Sequence, residues 1–144
     1  MIVGFFDPSS QWPVPRVRAT VFLLSVAPRW AAVDFVLDTG AAVTSLQPGD
    51  ATAALGIDRD KLTNPDVWPQ RVTAHGFGGP STCYVENAEF GFRHENGGLQ
   101  VLRDRILIAQ PTTANRELPS VLGWNVLRYF RIELDWARRQ VRLD

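Results

Sequence analysis

The chain has 144 residues, 45% of them hydrophobic and 21% charged, enough for one domain with a real core. Fifteen Lys and Arg balance fifteen Asp and Glu, which excludes the basic footprint of a nucleic-acid binder and any long-range steering of charged partners. No run nears the roughly 20 apolar residues of a spanning helix, residues 1–8 lack the basic start of a signal peptide, and the single cysteine, Cys83, has no internal partner; the expectation is a cytoplasmic protein away from membranes.

Residues 1–15 hold Pro8, Pro13 and Pro15 and read as an extended arm before a single domain over 16–144. Residues 16–26 are rich in β-formers and predict a strand. Residues 27–30 read as a turn and 32–37 as a second strand, making a hairpin. A short strand over 43–46 is followed by a helix from Pro48 to Leu55, closed by Gly56. Residues 57–68 read as a polar loop. Three glycines in the four positions 76–79 mark a hairpin tip between strands over 71–74 and 81–92. A turn at 96–98 leads to a strand over 99–109, then a polar loop over 111–117. Residues 118–122 predict a buried strand, 124–129 a short helix, and 131–136 and 140–143 a closing hairpin. The sum is all-β, a partly closed β-barrel with one or two short helices.

The strongest local signal is the run of residues 35–41, Phe-Val-Leu-Asp-Thr-Gly-Ala. It puts Asp38 at the exit of a buried strand, with Gly40 and Ala41 leaving room for close approach. The plainer alternative is a strand ending in an Asp-Thr-Gly turn, with Asp38 bonded to local backbone donors. Two further segments bear on this: the glycine hairpin at 76–79, and residues 121–127, Val-Leu-Gly-Trp-Asn-Val-Leu.

In these three motifs, in this order, the chain resembles the retropepsin-like (retroviral-type) aspartic proteases, from about residue 15 to residue 143. The resemblance implies their homodimeric acid protease fold and a hydrolase acting on peptide bonds. It makes Asp38 the catalytic aspartate, Thr39 the residue bonding across the two-fold axis and Gly40 a backbone donor near the substrate. Ala41 would help bind substrate. Gly76, Phe77, Gly78 and Gly79 would be the tip of a flap closing over the peptide. Gly123 and Asn125 would support the site, Gly123 by letting the next turn and helix pack beneath the catalytic loop.

Amide hydrolysis by direct water attack needs a base for the water and an acid for the carbonyl oxygen and amine. Two aspartates about 3 Å apart do both, because they share one proton; aspartic proteases are the standing example. One Asp-Thr-Gly per chain therefore implies a homodimer with two copies of Asp38, and no metal or other cofactor. An alternative keeps the fold without the chemistry, as a catalytically silent peptide-binding or dimerisation module. Another makes the chain a processing domain cut from a larger polyprotein.

The chain departs from the viral pattern in places. Viral members carry an aspartate soon after Asp-Thr-Gly-Ala and an arginine between the later glycine and asparagine; here Ala42-Val43 and Trp124 stand there, and both partners of that ion pair are missing together. Trp124 then either replaces the pair with apolar packing or is a core aromatic on a short helix. Extra length falls in residues 1–15, 57–68 and 110–117. The arm could join a dimer sheet or cover the cleft. His75 reads as an exposed hairpin residue or a substrate contact, Cys83 as a small core residue, and His94 with Glu95 lacks metal-ligand spacing.

Overall fold

The computed structural model describes residues 1–9, 11, 13–76 and 79–144, with Ala27 and Pro28 described by backbone alone. The described chain is mostly β. In chain order it forms β1 (Ile2–Phe6), β2 (Pro15–Leu23), β3 (Ala27–Leu37), β4 (Ser45–Leu46), α1 (Pro48–Ala53), α2 (Arg59–Thr63), β5 (Arg71–Gly76), β6 (Gly79–Arg93), β7 (Leu99–Ala109), β8 (Val121–Leu122), α3 (Trp124–Leu127), β9 (Ile132–Asp135) and β10 (Gln140–Leu143). The strands join in the order β5-β6-β7-β4-β8-β3-β2-β1-β10-β9, and β6 also pairs with β2. That extra pairing closes a ring through β2, β3, β8, β4, β7 and β6.

Period-two alternation decides which way each strand faces. In β2, Val17, Ala19, Val21 and Leu23 are buried, and in β3 Ala31, Val33, Phe35 and Leu37 are. Removing each of the larger side chains from water stabilises the fold by about 1.5–3 kcal/mol before entropy is counted. Arg18 and Asp34 are cross-strand partners on the other face, joined by two hydrogen bonds of 2.7 and 2.8 Å. Phe90 and Phe92 from β6, Ile106 and Ile108 from β7, and Leu122 from β8 complete the core.

The structure corrects several expectations. The first hairpin turns at Leu24, Ser25 and Val26, and β3 already starts at Ala27, because the Leu23↔Ala27 pair closes the ladder there. Residues 57–68 are not a plain loop. They hold α2 and a 3-10 turn (Pro65–Val67), with Leu62 and Trp68 buried. Trp68 stacks on Tyr84 at 4.7 Å, its Nε1–H donates to the Lys61 carbonyl, and the Tyr84 hydroxyl donates to the Leu62 carbonyl. Two buried aromatics thus pin a polar-looking segment to the sheet. The described residues therefore hold three short α-helices, not one or two. The strand expected over 118–122 is only Val121 and Leu122, since Pro119 lacks the N–H a ladder uses. Within the expected arm, Ile2–Phe6 is a strand paired with this chain's own β10 from Ile2↔Leu143 to Phe5↔Gln140. No described helix is long and apolar enough to cross a membrane.

Candidate functional site

Asp38 leaves β3 where that strand pairs in parallel with β8, Val36↔Val121 and Leu37↔Leu122. The Asp38 N–H donates to the Leu122 carbonyl at 3.1 Å, which carries the ladder one residue past the strand. β8 also pairs with β4 through Ser45↔Val121, so the short β8 lies between β3 and β4. The loop from Asp38 to Thr44 must therefore bridge over the end of β8.

That loop is fixed by hydrogen bonds at both ends. The Gly40 N–H donates to Asp38 Oδ1 at 2.8 Å, and the Ala41 N–H donates to the Asp38 carbonyl at 3.2 Å. The Ala41 carbonyl accepts from the Trp124 N–H at 2.9 Å, and the Ala42 carbonyl from the Asn125 N–H at 3.1 Å. Beneath the loop, Thr44 is fully buried. Its hydroxyl accepts from the Gly123 N–H at 3.0 Å and donates to Asn125 Oδ1 at 3.0 Å, while its own N–H donates to the same Oδ1 at 2.8 Å. Asn125 Nδ2 then donates to the Arg105 carbonyl at 2.7 Å, tying the cluster to β7. Each buried polar group is matched, so the loop is held without an ion pair.

Space also explains Gly123. A Cβ there would lie 2.6 Å from the Val43 carbonyl carbon and 2.9 Å from the Ala41 oxygen. Its φ of −98° is ordinary, so the position demands the missing side chain, not a special backbone conformation.

Asp38 is half-buried, and Thr39 and Gly40 are exposed. Among the described residues no cation pairs with the Asp38 carboxylate. One of its oxygens receives a backbone N–H and the carboxylate stays reachable from solvent.

The structure thus brings Asp38, Gly40, Ala41, Gly123 and Asn125 into one hydrogen-bonded unit, with Thr39 exposed on the loop between Asp38 and Gly40. The Gly40 donor, expected to face substrate, serves Asp38 itself. The glycine hairpin is separate: β5 and β6 pair out to Gly76↔Gly79, both exposed, with Gly79 at φ 85°. A Cβ at Gly76 or Gly79 would meet nothing within 4 Å among the described residues. Phe77 and Gly78 lie outside the described residues. No hydrogen bond between described residues links Gly76 or Gly79 to Asp38. Trp124 is 44% exposed, which rules out its reading as a core aromatic. Cys83 is buried, and burial pushes its thiol pKa up, partly offset by Ser81. Among the described residues no three His, Cys, Asp or Glu side chains converge to hold a metal.

Sequence reasoning missed Thr44, the buried hub of the site. Thr44 directly precedes β4, where the adjacent Ser45 gives it no distinguishing local sign.

No family model matches the chain, and no curated protein matches it.

Proposed function

We propose that this protein is an aspartic endopeptidase of retropepsin-like fold, active as a homodimer in the cytoplasm. Two copies of Asp38 share one proton across the two-fold axis. One takes a proton from water as the water attacks the amide carbonyl, and the other gives its proton to the carbonyl oxygen; the first then passes its proton to the amide nitrogen as the C–N bond breaks, while the second takes one back from the diol, leaving a carboxylic acid, an amine and the pair as it began. No metal and no covalent intermediate takes part. The substrate is a peptide lying extended between the Asp38 loop and the β5–β6 hairpin, bonded through its backbone as an added strand.

One observation carries this reading. Asp38 is half-buried, with no cation paired to it among the described residues, at the mouth of a loop anchored by hydrogen bonds among Thr44, Gly123 and Asn125. A rigid frame around a free carboxylate is what pre-organised acid–base chemistry requires. The second reading, a peptide-binding or dimerisation module, draws on the Gly40 N–H bound to Asp38 Oδ1, since that bond alone gives Asp38 a structural role.

Cleavage of a mixed peptide library between pH 4 and 7 separates the two. Wild type should cut and Asp38→Asn, with the same loop hydrogen bonds, should lose at least about a thousandfold in rate. Equal peptide binding by both proteins with no cutting by either would leave the binding module standing and the protease refuted.

A further inference from the structure

A second polar cluster holds β8 at the end opposite Gly123. Ser120, just before the strand, is fully buried. Its hydroxyl donates to Asp50 Oδ2 at 2.6 Å and accepts from the Gln47 N–H at 2.9 Å. Its carbonyl accepts from the Val36 N–H at 2.9 Å. Ser120 thus joins β3 and β8 to the first turn of α1. An O–H···O bond of that length to a carboxylate is charge-assisted and about twice as strong as a neutral one. Asp50 pairs with no cation among the described residues, although Arg16 and Arg116 line the same groove. The Ser120 hydroxyl is therefore its fixed partner.

We infer that Asp50 is a positioning residue for Asp38, acting through Ser120 and β8. The strand is Val121 and Leu122 alone, and Pro119 has no N–H with which to lengthen the ladder. So short a strand needs an anchor at each end. Gly123 is tied to the Thr44 hydroxyl at one end, and Ser120 to Asp50 at the other. Between them lies the Leu122 carbonyl, which receives the Asp38 N–H. Where β8 sits along β3 therefore sets where the Asp38 backbone sits. A carboxylate that merely satisfied a buried hydroxyl would support the whole fold evenly. One that seats β8 protects the amides bonded to β8 above all others. The consequence for rate rests on the protease reading above; the consequence for local order does not.

The test is amide hydrogen exchange on wild type, Asp50→Asn, Asp50→Leu, Ser120→Ala and the Asp50→Leu/Ser120→Ala double variant, with peptide cleavage measured in parallel. Asp50→Asn keeps an oxygen acceptor and loses the charge; Asp50→Leu, of similar size, loses both. Asp50 is half-buried, so its variants should fold, which circular dichroism checks. In Asp50→Leu the Val36 and Asp38 amides should speed up at least about tenfold more than the amides of the β6–β7 ladder, with Asp50→Asn in between. Ser120→Ala should match Asp50→Leu, and the double variant should be no worse than either, because the pair acts as one unit. If wild type cuts peptides, kcat should fall at least about tenfold in Asp50→Leu with KM within about twofold of wild type. An even speed-up of all amides, or none at Asp38, overturns the inference and leaves the protease standing. So does faster Asp38 exchange with kcat unchanged. A wild type that cuts nothing removes the protease, and the selective exchange at Val36 and Asp38 then decides the inference alone.

Discussion

At the residue scale, burial sets Cys83 apart from Asp38. Cys83 sits in β6 between Val72 and Ala109 on the flanking strands, and its raised pKa comes first from burial. The sign follows directly. A raised thiol pKa favours the neutral form in the folded state, so its contribution is fully present below the ordinary thiol value and is lost as pH rises through the folded one. Native protein at pH 8 should therefore react slowly with a thiol-specific disulfide reagent and rapidly once urea unfolds it; equal rates would show Cys83 to be exposed. Asp38, by contrast, keeps a reachable carboxylate at the end of a buried strand. Its position was legible because the whole signal is local: an apolar run, a carboxylate, then two residues of little bulk. Thr44 was not legible, because the partners that explain it, Gly123 and Asn125, lie 79 and 81 residues away along the chain.

At the element scale, β8 and α3 act as a plug under the loop. Gly123 joins them, and its contacts are backbone atoms of Val43 and Ala41, which cannot rotate away as a side chain would. Gly123→Ala should cost about 1–3 kcal/mol in urea unfolding and weaken any cleavage further, because the loop carrying Asp38 must shift. A variant of wild-type stability and activity would show that the plug does not set the loop. β7 could be read from sequence to both ends, whereas β2 stops three residues short of the expected end, where residues 24–26 turn. The segment 57–68 could not. Its composition is polar, and its order comes from Leu62 and Trp68 reaching the sheet, with Tyr84 as a partner 16 residues beyond Trp68. The first turn was displaced for a similar reason: proline at 28 suggests the end of the strand, and the ladder with β2 is indeed irregular between the Val21↔Ala31 and Leu23↔Ala27 pairs, but it resumes at Ala27.

At the scale of the whole molecule, the ring of strands and the β1–β10–β9 extension have different origins. The ring follows from alternation and short turns. The extension depends on the two ends of the chain meeting, which no local pattern encodes. Gly4 makes that meeting tight: a Cβ there would lie 3.0 Å from Val141 Cβ on β10 and would also collide with the Arg16 carbonyl oxygen on β2. β1 thus pairs within its own chain, with β10 on one side and β2 on the other.

The proposed pairing of two Asp38 copies can be tested without knowing the natural substrate. Wild type and Asp38→Asn are mixed in equal amounts, allowed to exchange subunits, and assayed on any peptide the wild type cuts. If both carboxylates of a dimer are needed, only pairs of two wild-type chains work, and random pairing leaves about one quarter of the activity of the same total protein as pure wild type. Activity that stays at about one half, in proportion to the wild-type chains present, would mean that each Asp38 works alone and would contradict the shared-proton mechanism.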